Sequence, residues 1–251
     1  MVMGEPLLVF DGVGKSFRRG RRRWQVLTDV SLTVAAGEMV GVVGARGEGK
    51  TTLLEVAAGI ELADQGRVWF QGRDLASCSA DERQDLLGDR IAWISREAAD
   101  DFDVLDSVGL PLAMGRGQGM REVDELALEA LKRVGISDCA RKRWEELSNW
   151  ERVMVAFARG LVTRPSLMVV DDLLDGLGPG GTREAGELLA SLARDLPCGV
   201  LVAASDLEAL LIADRVLCFE RGTLAVLSGE SDGASIIDLH GGRRRVSGER
   251  G

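Results

Sequence analysis

The run Gly44-Ala45-Arg46-Gly47-Glu48-Gly49-Lys50-Thr51-Thr52 constrains this chain more than any other stretch. It follows Glu38-Met39-Val40-Gly41-Val42-Val43, which reads as a short buried strand. It leads into Thr52-Leu53-Leu54-Glu55-Val56-Ala57-Ala58, which reads as a helix stopped at Gly59. A strand, a glycine-rich turn closing on Gly-Lys-Thr, and a helix together make an anion cradle. The glycines let the backbone curl so that successive N–H groups point inward, and the helix adds its positive N-terminal end. Lys50 is placed to reach β- and γ-phosphates, and the Thr51 hydroxyl to ligate Mg²⁺. A glycine-rich turn with an incidental lysine would not need the whole pattern in this context. The reading is a nucleoside-triphosphate loop in an α/β core.

The chain has 251 residues, enough for a sizeable core, and 45% of them are hydrophobic against 28% charged, the balance of a soluble globular protein. No apolar run approaches the roughly 18 residues of a membrane span, and no leader opens the sequence, so a cytosolic location is expected. With 31 basic and 40 acidic residues the formal charge is −9, which disfavours nonspecific nucleic-acid binding. Arg18-Arg19-Gly20-Arg21-Arg22-Arg23 is the local exception. It reads either as a solvated hairpin tip or as a contact for anionic headgroups or an acidic partner face. Cys78, Cys139, Cys198 and Cys218 lie far apart with no CxxC pair, which points to free thiols in a reducing compartment. His240, the only histidine, sits in a Gly/Arg-rich tail and is not expected to serve catalysis or a metal.

Taken in order, Leu7–Phe10 and Val26–Val34 read as antiparallel strands around the arginine turn, and Gly66–Phe70 as a further strand. From about 75 to 160 the pattern turns helical; Val123, Leu126, Ala127, Ala130, Leu131 and Val134 share one helical face. The section from about 97 to 160 is expected to be a helical insertion in the core. Ser166–Val170 is a strand ending at Asp171-Asp172, followed by a helix with Ala185, Leu188, Leu189 and Leu192 on one face. Cys198–Ala204 is a continuous apolar strand of the doubly covered parallel kind, and Arg215–Phe219 pairs with Leu224–Leu227. Residues 1–228 read as one domain, and 229–251 as a flexible tail.

Several stretches together resemble the nucleotide-binding subunit of ABC transporters, over roughly residues 7–228. They are Val26-Leu27-Thr28-Asp29-Val30-Ser31-Leu32-Thr33-Val34 before Gly37-Glu38 and the phosphate loop, then Val104 to Leu112, Leu147-Ser148 with Val155 to Leu161, Asp171 closing its strand, and Ala213-Asp214-Arg215-Val216. Within the family the chain looks most like the branch serving lipoprotein release and macrolide export. The resemblance implies a P-loop core with an N-terminal antiparallel β subdomain and a helical subdomain. It also implies ATP and Mg²⁺ as ligands, Thr51 and (through water) Asp171 at the metal, and a head-to-tail dimer docked on integral membrane permease subunits. In that dimer the signature of one subunit closes on the ATP held by the other. An aromatic stacks on adenine in the family, and Phe17 is the candidate here, with hairpin core as its other reading.

The departures from the family pattern are concentrated. Where the family has LSGGQ, this chain has Leu147-Ser148-Asn149-Trp150-Glu151. Ser148-x-x-Glu151 reads as a capping box, with an indole where the backbone should close on a partner's γ-phosphate. Asp172 replaces the catalytic glutamate, shorter by one methylene. Arg96 aligns with the Q-loop glutamine, Gly178 with the D-loop aspartate, and Ser205 with the switch histidine. The triphosphate-gripping residues, Gly44 to Thr52 and Asp171, are intact.

Three readings follow. The first is a degenerate ABC subunit that binds ATP, hydrolyses it weakly or not at all, and pairs with a competent second ABC ATPase at the cytoplasmic face of a membrane exporter. The second is an active transporter ATPase with Asp172 as base. The third is a soluble regulatory ABC protein without a membrane partner.

Overall fold

The structure is a computed structural model, and it describes residues 6–95, 102–115, 119–228, 235–238 and 243–245. Two long strands open the chain, β1 (Pro6–Arg19) and β2 (Arg22–Ala35), paired antiparallel across Gly20-Arg21. The strands therefore run through most of the arginine run, and only its two central residues turn. With β4 (Gln65–Phe70) and β5 (Arg73–Asp74) they form a four-stranded sheet in the order β2-β1-β4-β5.

The main sheet is built on β3 (Met39–Val43), β6 (Ile91–Ile94), β7 (Leu167–Asp171), β8 (Gly199–Ala204) and β9 (Arg215–Glu220). These lie parallel in the order β9-β3-β8-β7-β6. Strand β6 went unrecognised in the sequence: four residues, Ile91-Ala92-Trp93-Ile94, are too few to show a period of two beside helical neighbours. β10 (Thr223–Ser228) pairs antiparallel with β9. Residues expected to form a flexible tail include two short strands that extend this edge, β11 (Ser235–Asp238) and β12 (Arg243–Arg245).

The helices are α1 (Lys50–Ala57), α2 (Ala80–Asp89), α3 (Val104–Gly115), α4 (Met120–Arg133), α5 (Asn149–Leu161) and α6 (Gly178–Asp195). Helices α3, α4 and α5 fall in the stretch read as a helical insertion, and Val123, Ala127, Ala130 and Leu131 of α4 are buried as its periodicity predicts.

Successive residues of the parallel strands alternate between two cores. Met39, Met168, Val170, Val200 and Val202 face one cluster, shared with α3 to α6. Val40, Val42, Leu167, Val169, Leu201 and Ala203 face the other, shared with α1 and the antiparallel sheet. Both faces are covered, which is why these strands are apolar throughout rather than alternating. In such a sheet every strand ends its run at the same edge, and ligands bind at that carboxyl edge.

Candidate functional site

The parallel register delivers the ends of β3, β7 and β8 side by side. Val43 pairs with Ala204, and Asp171 with Ala203. The phosphate loop leaves β3 at this edge, with Asp171-Asp172 and Ser205 beside it.

Two glycines of the loop are demanded by contact. At Gly44 a Cβ would lie 2.6 Å from the Phe219 carbonyl oxygen. At Gly49, φ is +113° and a Cβ would lie 2.4 Å from Cγ1 of Val26. Lys50 is buried, and its ammonium donates to the carbonyls of Gly44 (2.8 Å) and Ala45 (3.2 Å) and to Oγ of Ser205 (3.4 Å). Glu48 turns back over the loop, accepting from the Ala45 N–H at 3.2 Å. The Thr51 hydroxyl donates to Oδ2 of Asp171 at 2.9 Å.

Burial raises the Asp171 pKa above its ordinary value, the Thr51 hydrogen bond opposes the rise, and the neighbouring Asp172 charge adds to it. Oδ1 of Asp171 and Oδ1 of Asp172 are both buried without a hydrogen-bond partner among the described residues. Asp172 also sits at φ +47°, in the left-handed region that a non-glycine residue rarely adopts. Two orphaned carboxylate oxygens beside a threonine hydroxyl suit a hard, oxygen-seeking cation. No cluster of three or more His, Cys, Asp or Glu able to hold a metal exists among the described residues. The Thr51 hydroxyl and the Asp171 carboxylate offer the few oxygen ligands that suffice for a Mg²⁺ shared with a phosphate ligand.

A cavity of about 860 Å³ opens over the loop, lined by Gly47, Gly49, Lys50, Thr51, Thr52 and Asp172 on one side. Phe17, Arg18, Trp24 and Val26 of the β1–β2 hairpin and Arg46 complete it. Phe17 is 39% exposed, so it is a wall of this cavity and not hairpin core.

The signature position is built differently. Ser148 caps α5: its Oγ accepts from the Glu151 N–H at 3.2 Å, and the Glu151 carboxylate accepts from the Ser148 N–H at 2.7 Å. Glu151 also accepts from the Cys139 thiol at 3.0 Å and from the Lys142 ammonium at 2.7 Å. These donors, with the Ser148 N–H, hold its carboxyl far below the usual carboxylate range. Cys139 is pushed up, by burial first and then by Glu151. The Asn149 amide donates to the Gly176 carbonyl at 2.8 Å, tying the start of α5 to the loop before α6. The half-buried Trp150 packs toward Gly181 at the start of α6. Gly178 begins α6 at φ +74°.

Residues 27–174 match the ABC transporter family. The lipoprotein-releasing system ATP-binding protein LolD of Psychrobacter arcticus is 32% identical over 218 residues, 86% of this chain and 96% of that protein. The chain belongs to the ABC transporter family. It is an ATP-binding subunit of that family, and its fold is that of the ABC cassette. The dimeric bacterial cassette MJ0796 superposes with a TM-score of 0.79 at 24% identity, covering 86% of this chain and 96% of that one. The structure of cbiO1 from Clostridium perfringens superposes at 0.77 with 23% identity, covering 88% and 87%.

In this ABC cassette the sequence-derived residues Phe17, Gly47, Gly49, Lys50, Thr51, Thr52 and Asp172 meet around one cavity, with Asp171 and Ser205 bonded to its floor. Ser148, Asn149, Trp150 and Glu151 form a separate cluster at α5 and do not line it. Arg96 and His240 fall outside the described residues. Sequence reasoning missed Arg18, Trp24 and Val26, because their approach to the cavity depends on hairpin register. It also missed Asp175, whose carboxylate holds the exposed Arg46 guanidinium at 3.3 Å. Among the described residues no helix is long and apolar enough to cross a membrane.

Proposed function

We propose that this cassette binds Mg-ATP and hydrolyses it slowly or not at all, beside a competent second ABC ATPase in a heterodimer that serves a membrane permease. Residues 1–228 act in this reading as one nucleotide-binding unit, held peripherally at the cytoplasmic face. LolD is the ATP-binding protein of a lipoprotein-releasing system, cbiO1 is part of an ABC transporter complex, and MJ0796 is dimeric. Those relatives support a partnered role in transport.

The observation that carries the reading is a contrast between two helix starts. At α1 the phosphate loop keeps its glycines, Lys50 and the Thr51–Asp171 pair. At α5 the Ser148 and Glu151 N–H groups are engaged by the chain's own Glu151 carboxylate and Ser148 hydroxyl, and Glu151 keeps its negative charge where a partner's phosphate would arrive. When bound, Mg²⁺ would be held by Thr51 and Asp171 and would neutralise phosphate charge. Lys50 and the loop N–H groups orient the triphosphate. Ser205 offers Lys50 a hydroxyl at 3.4 Å but has no imidazole to grip a γ-phosphate.

A second reading is favoured by one observation: Asp172 lines the cavity with a buried, unpartnered oxygen, as a general base would. ATP retention and steady-state phosphate release separate the two. Retention that is lost in Lys50→Ala, with turnover indifferent to Asp172→Asn, is expected. Fast turnover abolished by Asp172→Asn would establish the active ATPase instead.

A further inference from the structure

The β1–β2 hairpin sets Phe17 directly opposite Trp24 in an antiparallel register. Opposed residues on neighbouring strands project from the same face with their Cβ atoms about 5 Å apart. Both rings line the cavity above Gly47, Lys50 and Thr51. Trp24 is 67% exposed, an unusual position for the largest apolar side chain in a strand unless the exposed ring has something to cover. Part of Phe17 is already engaged. The Lys15 ammonium lies 5.2 Å from its ring centroid, fixed there by Glu61 at 2.6 Å and the Leu62 carbonyl at 2.8 Å. That cation covers one side of the smaller ring and leaves the indole as the broad accessible surface of the wall.

We propose that Trp24 is a base-contacting residue of the nucleotide site, forming with Phe17 a two-ring wall on which the nucleobase stacks. The proposal rests on the ATP-binding reading and deepens it. The hairpin side of the cavity carries Phe17, Arg18, Trp24 and Val26, so it offers ring faces, an aliphatic side chain and one guanidinium. Among the described residues this side holds no side-chain carboxylate or amide to read a base edge. Stacking is therefore the contact this wall is built to make, and every base has a face to stack. A membrane or protein surface could also take an exposed tryptophan beside arginines. The indole nevertheless opens onto the same cavity as the phosphate loop, which favours a ligand that reaches both.

The test titrates the full chain with Mg-ATP and, separately, with Mg-tripolyphosphate, which has no base. The four other tryptophans, Trp69, Trp93, Trp144 and Trp150, do not line the cavity, so a change of indole emission on adding ATP reports on Trp24. Trp24→Phe, which keeps a ring but no indole, should remove that change and fall between wild type and Trp24→Ala in affinity. Trp24→Ala should weaken ATP about 10-fold and leave tripolyphosphate unaltered, whereas Lys50→Ala should weaken both. Equal ATP affinity in wild type and Trp24→Ala overturns the proposal, as does an equal loss for ATP and tripolyphosphate. So does loss of binding to vesicles of anionic lipid in Trp24→Ala with ATP affinity intact. If wild type retains neither ligand, the ATP-binding reading itself falls. Lys50-dependent ATP binding that is indifferent to Trp24 removes this proposal alone.

Discussion

Single side chains in this cassette do opposite things with negative charge. Asp171 is half-buried beside Asp172 and its pKa is raised, so the pocket floor stores carboxylates that favour a cation's arrival. Glu151 is surrounded by the Cys139 thiol, the Lys142 ammonium and the Ser148 N–H, and its pKa is depressed. A carboxyl whose folded pKa lies below its ordinary value near 4.5 adds stability in full above that value. The contribution fades as pH falls through the lower folded pKa. Glu151→Gln should therefore unfold more easily than wild type at pH 7, by roughly 1–3 kcal/mol. The gap should narrow once the pH drops below the ordinary carboxylate range. Unfolding midpoints at several pH values check this, and a gap that widens in acid would contradict the assignment. Ser148-x-x-Glu151 was legible as a capping box because that motif is local. The Cys139 and Lys142 partners were not, since nothing in their spacing says that their turn folds against the start of α5.

At the scale of elements, the phosphate loop is shaped as much by its neighbours as by its own letters. The turn before α1 is squeezed between Val26 of β2 and Phe219 of β9, which is why Gly49 and Gly44 tolerate no Cβ. Gly49→Ala should cost roughly 2–4 kcal/mol in strain and displaced packing and should abolish nucleotide retention. Denaturant midpoints with unchanged slopes would measure the first effect, and ATP retention the second. Gly47, at φ +81° but with nothing within 4 Å of a Cβ, is constrained by backbone conformation alone. Elsewhere the elements followed their periods. The helical face of α4 was readable because four of its apolar positions, Val123, Ala127, Ala130 and Leu131, are buried on one side. The four residues of β6 were not, because burial on both faces erases alternation in so short a strand.

The whole molecule brings these pieces to one edge. Because β3, β7 and β8 run parallel, the phosphate loop, the Asp171-Asp172 pair and Ser205 emerge together although they are far apart in sequence. The face carrying α5 is set apart from that cavity and is closed by its own cap. If that face cannot close on a second nucleotide, ATP alone should not join two copies of this chain. Light scattering of Asp172→Asn with saturating Mg-ATP should report the mass of one chain, and a nucleotide-locked homodimer would refute the partner-face reading. By itself, the order of residues determined the anion-binding loop, the apolar strands of a doubly covered sheet, the α4 face and the cap at Ser148. Each of these is written within one or two turns of chain, where spacing alone dictates geometry. Tertiary structure alone decided which side chains share a cavity: Trp24 opposite Phe17, Ser205 under Lys50, Cys139 and Lys142 around Glu151. Those meetings depend on strand register and on how distant segments pack, and no local pattern encodes either.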